Sequence, residues 1–344
     1  MAISKHGVRK TFRITNGVTR NMKIIRSGAL FAVVALAGMA AGSFAQNYPS
    51  GQVRIISPYP PGGGTDTLGR AIAQKLTEAW GQQVIVENRV GANGTIGTAF
   101  VAKSPPDGHT ILIVPAGYAP NPLLYSNLPY DQSRDLLPVS HLASGPLVMV
   151  THPALPAKNL KAFIALAKSK PNAINYGTPG AGALPHLSAE LFSMMAGVKM
   201  THVPYKGPAI AIIDLMSGQI QAYFMNILQS LPLIKSGKLR GLGVTSPQRS
   251  PIAPDMPAIA EAGLPGFDMT NWYGMLVPTG TPRDNVNKLQ REVSRILNLP
   301  ELKKRLVSVG MTVVASTPEQ FTAFLAKETE KFNKIIKAAG IKSQ

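Results

Sequence analysis

The chain has 344 residues, 45% of them hydrophobic and 15% charged, with no cysteine and a formal net charge of +18. That balance excludes disordered and fibrous classes. The lack of cysteine excludes a thiolate nucleophile, a Cys-ligated metal or cluster, and any disulfide.

The length fits two domains. The positive charge invites a nucleic-acid reading, but seven of the bases, Lys5, Arg9, Lys10, Arg13, Arg20, Lys23 and Arg26, fall in an acid-free amino-terminal stretch. The remaining bases form no run and have no interleaved aromatic stripe, so no nucleic-acid partner is expected. From Met22 the text runs Met-Lys-Ile-Ile-Arg-Ser, then an apolar stretch from Gly28 to Ala41, then small Ser43 and Ala45 before Gln46. Those are the three parts of a secretory signal peptide, with cleavage expected after Ala45 and a periplasmic destination. The apolar stretch is shorter than the roughly 20 residues that a membrane-spanning helix needs. Residues 1–21 add nothing to export, so either Met1 or Met22 can be the initiator.

The next elements alternate. Gln52–Ser57 reads as a strand, Leu68–Trp80 as a helix with Leu68, Ile72, Leu76 and Ala79 on one face, Val84–Glu87 as a strand, Ile96–Lys103 as a helix and Thr110–Val114 as a strand. This βαβαβ order predicts a mainly parallel sheet covered by helices. A second series begins near Leu147–Val150. Helices at 160–168, 187–195 and 210–216 alternate there with strands at 174–176, 200–203, 220–224 and 239–245. Residues 246–266 are rich in Pro and Gly, and 271–277 read as an extended crossing segment. Helices near 285–297, 302–309 and 321–338 follow, the last with Phe321, Leu325, Phe332 and Ile336 at helical spacing. The expected organisation is an extension and signal peptide over 1–45, a first domain of 46–145 plus 271–344, and a second of 146–270. Two crossings, near 145 and 270, would make a hinge and a closable cleft.

The sharpest motif is Tyr59-Pro60-Pro61-Gly62-Gly63-Gly64-Thr65-Asp66, set between a strand and a helix. Glycines let backbone N–H groups approach a ligand at a helix N-terminus, which suits an anion. The motif lacks the Lys-Ser/Thr of a phosphate-binding P-loop and the spacing of a dinucleotide fingerprint, so no nucleotide is expected. Asp66, or else Thr65, is expected to N-cap the helix, leaving the earlier amides from Gly62 to Thr65 for a ligand. A second loop, Tyr176-Gly177-Thr178-Pro179-Gly180-Ala181-Gly182-Ala183, precedes a helix carrying His186 and repeats that logic. Two such helix ends facing one cleft would hold a dicarboxylate without cationic side chains. His186 lacks a sequence-adjacent catalytic partner and reads first as a residue bonding loop backbone. The other histidines are scattered, and neither a zinc motif nor a Gly-x-Ser-x-Gly elbow occurs. No catalytic residue, metal or cofactor is expected.

An ordered set of short texts then carries a resemblance. Besides the first loop it comprises Val86-Glu87-Asn88-Arg89 with Gly94-Thr95-Ile96-Gly97, Pro106-Asp107-Gly108, Leu128-Pro129-Tyr130-Asp131, Asn175-Tyr176-Gly177, His202-Val203-Pro204-Tyr205-Lys206-Gly207, Gly237-Lys238-Leu239-Arg240, the segment 261–266, and Trp272-Tyr273-Gly274. With these, residues 48–342 resemble the Bug, or tripartite tricarboxylate transporter receptor, family of solute-binding proteins. The resemblance implies an α/β, two-domain periplasmic-binding-protein fold of type II. It implies a small carboxylate ligand held largely by backbone groups and water, a two-subunit membrane permease as partner, and a monomeric, non-enzymatic receptor. It implicates Tyr59, Gly62, Gly63, Gly64, Thr65 and Asp66 of the first loop, Thr178, Gly182, Ala183 and His186 of the second, and Thr95, Tyr205, Asn226 and Trp272 around the cleft. The chain departs from the family pattern at Met225, where an Asp is common, and at Pro179 and Ala183, where Ser is usual. Those changes predict an apolar wall at Met225 and an aromatic or otherwise apolar carboxylate. The competing expectations are a sensor that docks on a signalling receptor, and an enzyme using His186 and Asp66 as acid and base.

Overall fold

The computed structural model describes Gly7 and residues 48–343. The expected signal peptide lies outside them. From Tyr48 onward the chain forms one compact unit built on two sheets.

The first sheet contains β1 (Val53–Ser57), β2 (Val84–Asn88), β3 (Thr110–Pro115), β4 (Leu136–Gly145), β10 (Asn271–Pro278) and β11 (Thr312–Val313). Its order is β11-β4-β10-β3-β1-β2. The second contains β5 (Leu147–Thr151), β6 (Asn175–Thr178), β7 (Thr201–Pro204), β8 (Ala222–Asn226) and β9 (Arg240–Val244), in the order β7-β6-β8-β5-β9. Both sheets are mixed, not mainly parallel. β1 pairs in parallel with β2 and β3, and β6 with β7 and β8, whereas β10 and β5 run antiparallel to both of their neighbours. The antiparallel half exists because β4 leaves one sheet and β5 enters the other across Gly145–Leu147, and the chain returns through β10.

The parallel strands are apolar on both faces, as a sheet covered by helices on both sides requires. Ile55 and Ile56 of β1 and Ile111, Leu112 and Ile113 of β3 are all buried. One core cluster joins Leu68, Ile72 and Leu76 of the helix Gly64–Trp80 to Val286, Leu289 and Val293 of the helix Arg283–Leu297. A larger cluster is continuous across the two sheets. It takes Val114 and Tyr118 from the first, Tyr176, Leu187 and Phe192 from the second, and Phe321, Phe332 and Ile336 from the carboxy-terminal helix Pro318–Ala338. That helix begins with a complete capping box, Thr317 and Gln320 exchanging bonds with each other's backbone. It packs on β4 and also on the helix Leu184–Ala196 that follows β6.

Trp272 belongs to this core and also borders a cavity edged by Ser144, Pro146, Ser246 and Thr270. It is 1% exposed, edge-on to Phe321 and Phe324, and its indole Nε1 donates to Glu328 Oε2 at 2.9 Å. Met225 is likewise 1% exposed, packed with Val148, Ile227 and Val244, so it is core and supplies no wall.

Removing the indole donor leaves one oxygen of a buried carboxylate without that partner. Trp272→Phe should therefore lower unfolding free energy by roughly 1–3 kcal/mol, read as a reduced urea midpoint at unchanged m-value.

Candidate functional site

Each sheet delivers a glycine-rich loop at the carboxyl end of its first parallel strand, the place where open α/β sheets expose backbone to a ligand. Pro58–Gly63 follows β1, and Pro179–Ala183 follows β6. The two loops share one local design. Asp66 and His186 are each the third residue of their helix, and each reaches back to the N–H four residues earlier. Asp66 Oδ2 accepts from Gly62 N at 3.0 Å, and His186 Nδ1 accepts from Gly182 N at 2.9 Å. Gly62 and Gly182 both have positive φ, 78° and 75°, which glycine adopts without the Cβ penalty. The pattern is a capping box displaced outward by one residue, since the caps themselves are Gly63 and Ala183 and neither caps through a side chain.

This arrangement corrects the expected cap. Neither Asp66 nor Thr65 caps the helix, which begins at Gly64, four residues earlier than periodicity indicated. Asp66 is 4% exposed and sits in a network. Its Oδ1 accepts from Asn88 Nδ2 at 3.0 Å and Arg70 Nη2 at 2.9 Å, and its Oδ2 accepts from Arg70 Nε at 3.1 Å. Burial alone would raise its pKa, but the bonds from Arg70, Gly62 N–H and Asn88 hold it below the ordinary carboxylate value. Thr65 turns its hydroxyl to Ser57 Oγ, 2.8 Å away. Gly63 N–H goes to the Pro60 carbonyl at 3.3 Å. Of the amides from Gly62 to Thr65 the later two are left: the N–H groups of Gly64 and Thr65 have no acceptor among the described residues. Beside them stands Tyr273, whose hydroxyl lies so near Gly64 that a Cβ there would approach it to 2.1 Å. Asn271 Nδ2 donates to that hydroxyl at 3.0 Å, and burial pushes the Tyr273 pKa up to about 12.

In the second loop three donors turn inward, while the N–H groups of Ala181 and Leu184 have no acceptor among the described residues. Gly180 N–H points at Thr178 Oγ1 (3.4 Å), Gly182 N–H at His186, and Ala183 N–H at the Gly180 carbonyl (3.4 Å). The Thr178 hydroxyl is also 2.7 Å from His202 Nε2. His186, His202 and Tyr176 form a stack, with the two imidazoles 4.0 Å apart at 13°. The Tyr176 hydroxyl donates to Glu190, whose Oε1 lies 3.7 Å from His186 Nε2. Burial, with the neighbouring His202 adding to it, pushes His186 down to about 4. His186 is therefore a neutral acceptor that shapes the loop, the structural role its sequence context indicated.

Residues 116–125 bridge the two loops. Gly117 lies against Asn93 and the Tyr59 hydroxyl, which donates to the Asn93 carbonyl at 3.0 Å. Asn93 Nδ2 bonds Asn121 Oδ1 at 3.0 Å, and Leu124 meets Gly182 so closely that a Cβ there would come within 2.5 Å of it. Tyr59 and the two loops are thus brought to one region. Thr95 is buried at the start of the helix Thr95–Ala102, its N–H bonded to Ala92. Tyr205 is held by its hydroxyl to Asp214 Oδ2 at 2.7 Å. Asn226 caps the helix Ile227–Lys235 through Leu228 N. Sequence reasoning missed Tyr273, Asn271 and Asn93. Strand alternation puts Trp272 and Tyr273 on opposite faces of β10, and both faces are buried, each in its own core cluster, so alternation alone does not single out Tyr273.

Two α/β halves, each presenting a glycine-rich helix start at the same end of its parallel strands, define the two-domain periplasmic binding-protein class. The chain shares this fold with a protein of R. palustris solved with adipate, at TM-score 0.78, 34% identity and coverage of 87% of this chain and 100% of that one. It also matches MatC of Rhodopseudomonas palustris with bound malate, at TM-score 0.72, 30% identity and coverage of 84% and 100%. Protein BugT of Bordetella pertussis is 36% identical over 311 residues, 90% of this chain and 95% of its own length. Residues 68–341 match the model of the tripartite tricarboxylate transporter family receptor. The chain belongs to that family of solute-binding proteins.

Asp66→Ala should cost roughly 2–3 kcal/mol by removing charge-assisted bonds from Gly62, Arg70 and Asn88, and should speed amide exchange at Gly62. His186 predicts an acid-side loss. Its folded pKa lies below the ordinary value near 6.5, so its contribution is complete above about pH 6.5 and is lost as pH falls toward 4. That loss is on the order of 2 kcal/mol between pH 7 and pH 5. His141, also pushed down to about 4 by burial, adds to the same window. Urea titrations should show a smaller pH 7-to-5 loss in His186→Gln, whose amide oxygen accepts the Gly182 N–H without titrating.

Proposed function

We propose that this chain is an exported periplasmic receptor that closes a first lobe, residues 46–145 with 271–344, and a second lobe, residues 146–270, around a small carboxylate. It acts as a monomer, performs no chemistry on the ligand and delivers it to a two-subunit membrane permease. The observation that carries this reading is the pair of unengaged N–H groups of Gly64 and Thr65 at the start of a seventeen-residue helix, with the Tyr273 hydroxyl beside them. A helix start with free donors favours an anion. Charge-assisted hydrogen bonds contribute roughly 1.5–3 kcal/mol each, so about four such contacts reach the roughly 8 kcal/mol of micromolar affinity.

Three observations support the reading. Relatives of 30% identity or more were solved with adipate and malate. His186 and Asp66 are both engaged by backbone donors, which leaves them poorly placed as the acid and base of an enzyme. Burial of Met225 removes one argument for an aromatic ligand, so the proposed class is a mono- or dicarboxylate, with Pro179 and Ala183 reducing the donors of the second loop.

Native mass spectrometry of the purified protein and a thermal-shift panel of mono- and dicarboxylates test this. One acid should raise the melting temperature selectively and be recovered unchanged. Thr65→Pro, which deletes an N–H at a helix position that tolerates proline, should weaken that acid about tenfold or more. Thr65→Val, which keeps the N–H, should not. Conversion of the acid, or equal binding by Thr65→Pro, would overturn the reading.

A further inference from the structure

Asn271, at the start of β10, fixes the direction of a hydrogen bond that ends at the first glycine-rich loop. The Ala116 N–H, which can only donate, points at Asn271 Oδ1 at 3.3 Å, so the other end of that amide is the Nδ2 donor. It meets Tyr273 Oη at 3.0 Å. The phenol oxygen is therefore the acceptor towards Asn271, and its own proton has to go elsewhere. Among the described residues that proton has no acceptor, although Tyr273 is only 4% exposed. A buried O–H without an acceptor is rare in a folded protein and calls for one.

The hydroxyl lies against the start of the helix Gly64–Trp80. Oη, Cζ and Cε1 of Tyr273 occupy the space that a side chain at position 64 would need, so glycine there is what lets the phenol reach the helix end. Gly64 is partly exposed, whereas Thr65 and Tyr273 are buried; an atom that enters at Gly64 meets the hydroxyl beside it. The unengaged groups at this end are all donors: Gly64 N–H, Thr65 N–H and Tyr273 O–H. The neighbouring carboxylate, Asp66, is turned to Gly62, Arg70 and Asn88, and burial keeps the phenol protonated at neutral pH. Donors with no acceptor among them need a guest that offers lone pairs and no proton. The two oxygens of a carboxylate offer about four lone-pair sites, whereas a protonated acid or a primary amide brings an O–H or N–H that has to face a donor.

We propose that Tyr273 is a specificity-determining ligand residue whose hydroxyl donates to the carboxylate at the first loop, and that Asn271, anchored on the Ala116 N–H, is the positioning residue that keeps this proton aimed at the helix start. Together they select an ionised carboxylate over its neutral acid or amide. This role rests on the carboxylate reading above and adds to it the pair of side chains that distinguishes the charged group from its neutral isosteres.

Adipate is the probe, with adipamide as its neutral isostere, titrated calorimetrically into the purified protein; malate and malamide take their place should adipate give no thermal shift. The wild-type protein should prefer the acid to the diamide by about tenfold or more. Tyr273→Phe, which removes one oxygen, should weaken the acid about tenfold and the diamide much less. Asn271→Asp still accepts from Ala116 but offers the phenol an acceptor in place of a donor, so the proton swings away from the helix start and the acid should again bind more weakly. Acting through one hydroxyl, the two changes should not multiply: the double variant should bind the acid within about threefold of the weaker single variant. Should Tyr273→Phe fail to fold, a crystal of the wild-type protein with the acid replaces it, with a carboxylate oxygen expected within hydrogen-bond distance of Tyr273 Oη. Equal weakening of acid and diamide, losses that multiply, or a bound carboxylate out of reach of Tyr273 overturns the proposal. Weakening of the acid by Thr65→Pro but not by Tyr273→Phe would sink this role and leave the carboxylate reading standing, whereas no binding of either acid by the wild-type protein would sink both.

Discussion

The carboxylate of Asp66 ties together three pieces of chain: the glycine loop through Gly62 N–H, the body of the helix through Arg70, and the end of β2 through Asn88. Asn88 extends the network, its amide also reaching the Tyr59 carbonyl at 3.1 Å and its oxygen accepting from Arg70 at 3.1 Å. Because the carboxylate folds outward to Gly62 and not inward over the helix end, Gly64 and Thr65 keep their N–H groups unengaged. An N-cap aspartate in the ordinary position would have occupied that helix end with its own negative charge. The position of one side chain therefore decides whether the first loop is a closed turn or an open anion cradle.

The second loop solves the same geometric problem with different electrostatics. His186 takes the place of Asp66, but burial, with the neighbouring His202 adding to it, keeps it neutral. One half of the site is organised by a fixed charge and the other by an uncharged ring. Both loops turn their early amides inward and leave helix-start donors unengaged, Gly64 and Thr65 in the first and Leu184 in the second, where Pro185 has no N–H to offer. On the proposed reading both helix starts contribute to the grip.

Much of the fold was legible because a buried parallel strand is a short apolar run and a covering helix is a periodic one, and both patterns survive in local text. Two of the longer elements were not. β4, Leu136–Gly145, contains Pro138, Ser140, His141, Ser144 and a terminal glycine and pairs with β10 through register shifts, so it reads as loop. The helix Ile227–Lys235 is hidden by Pro232 inside it. The loops themselves, their helix-start position and their repetition in both halves could be read directly. The atoms that do the work could not, since which N–H an Asp or His accepts depends on where the neighbouring strand ends. Met225 was misplaced for a related reason: a large apolar side chain near a cleft and one in a core have the same local text, and only the sheet order separates them.

The order of the first sheet has a consequence for how the molecule is made. Its interior position, between β3 and β4, is filled by β10, which arrives about a hundred and twenty-five residues after β4 ends. Until residue 278 has left the ribosome, β3 and β4 each present an unsatisfied edge, and the helix that seals β4 comes later still. The second sheet, by contrast, takes all its strands from residues 147–244 and is complete before β10 is made. The second half can therefore form first, and β10 is the strand whose late arrival closes the first sheet beside it.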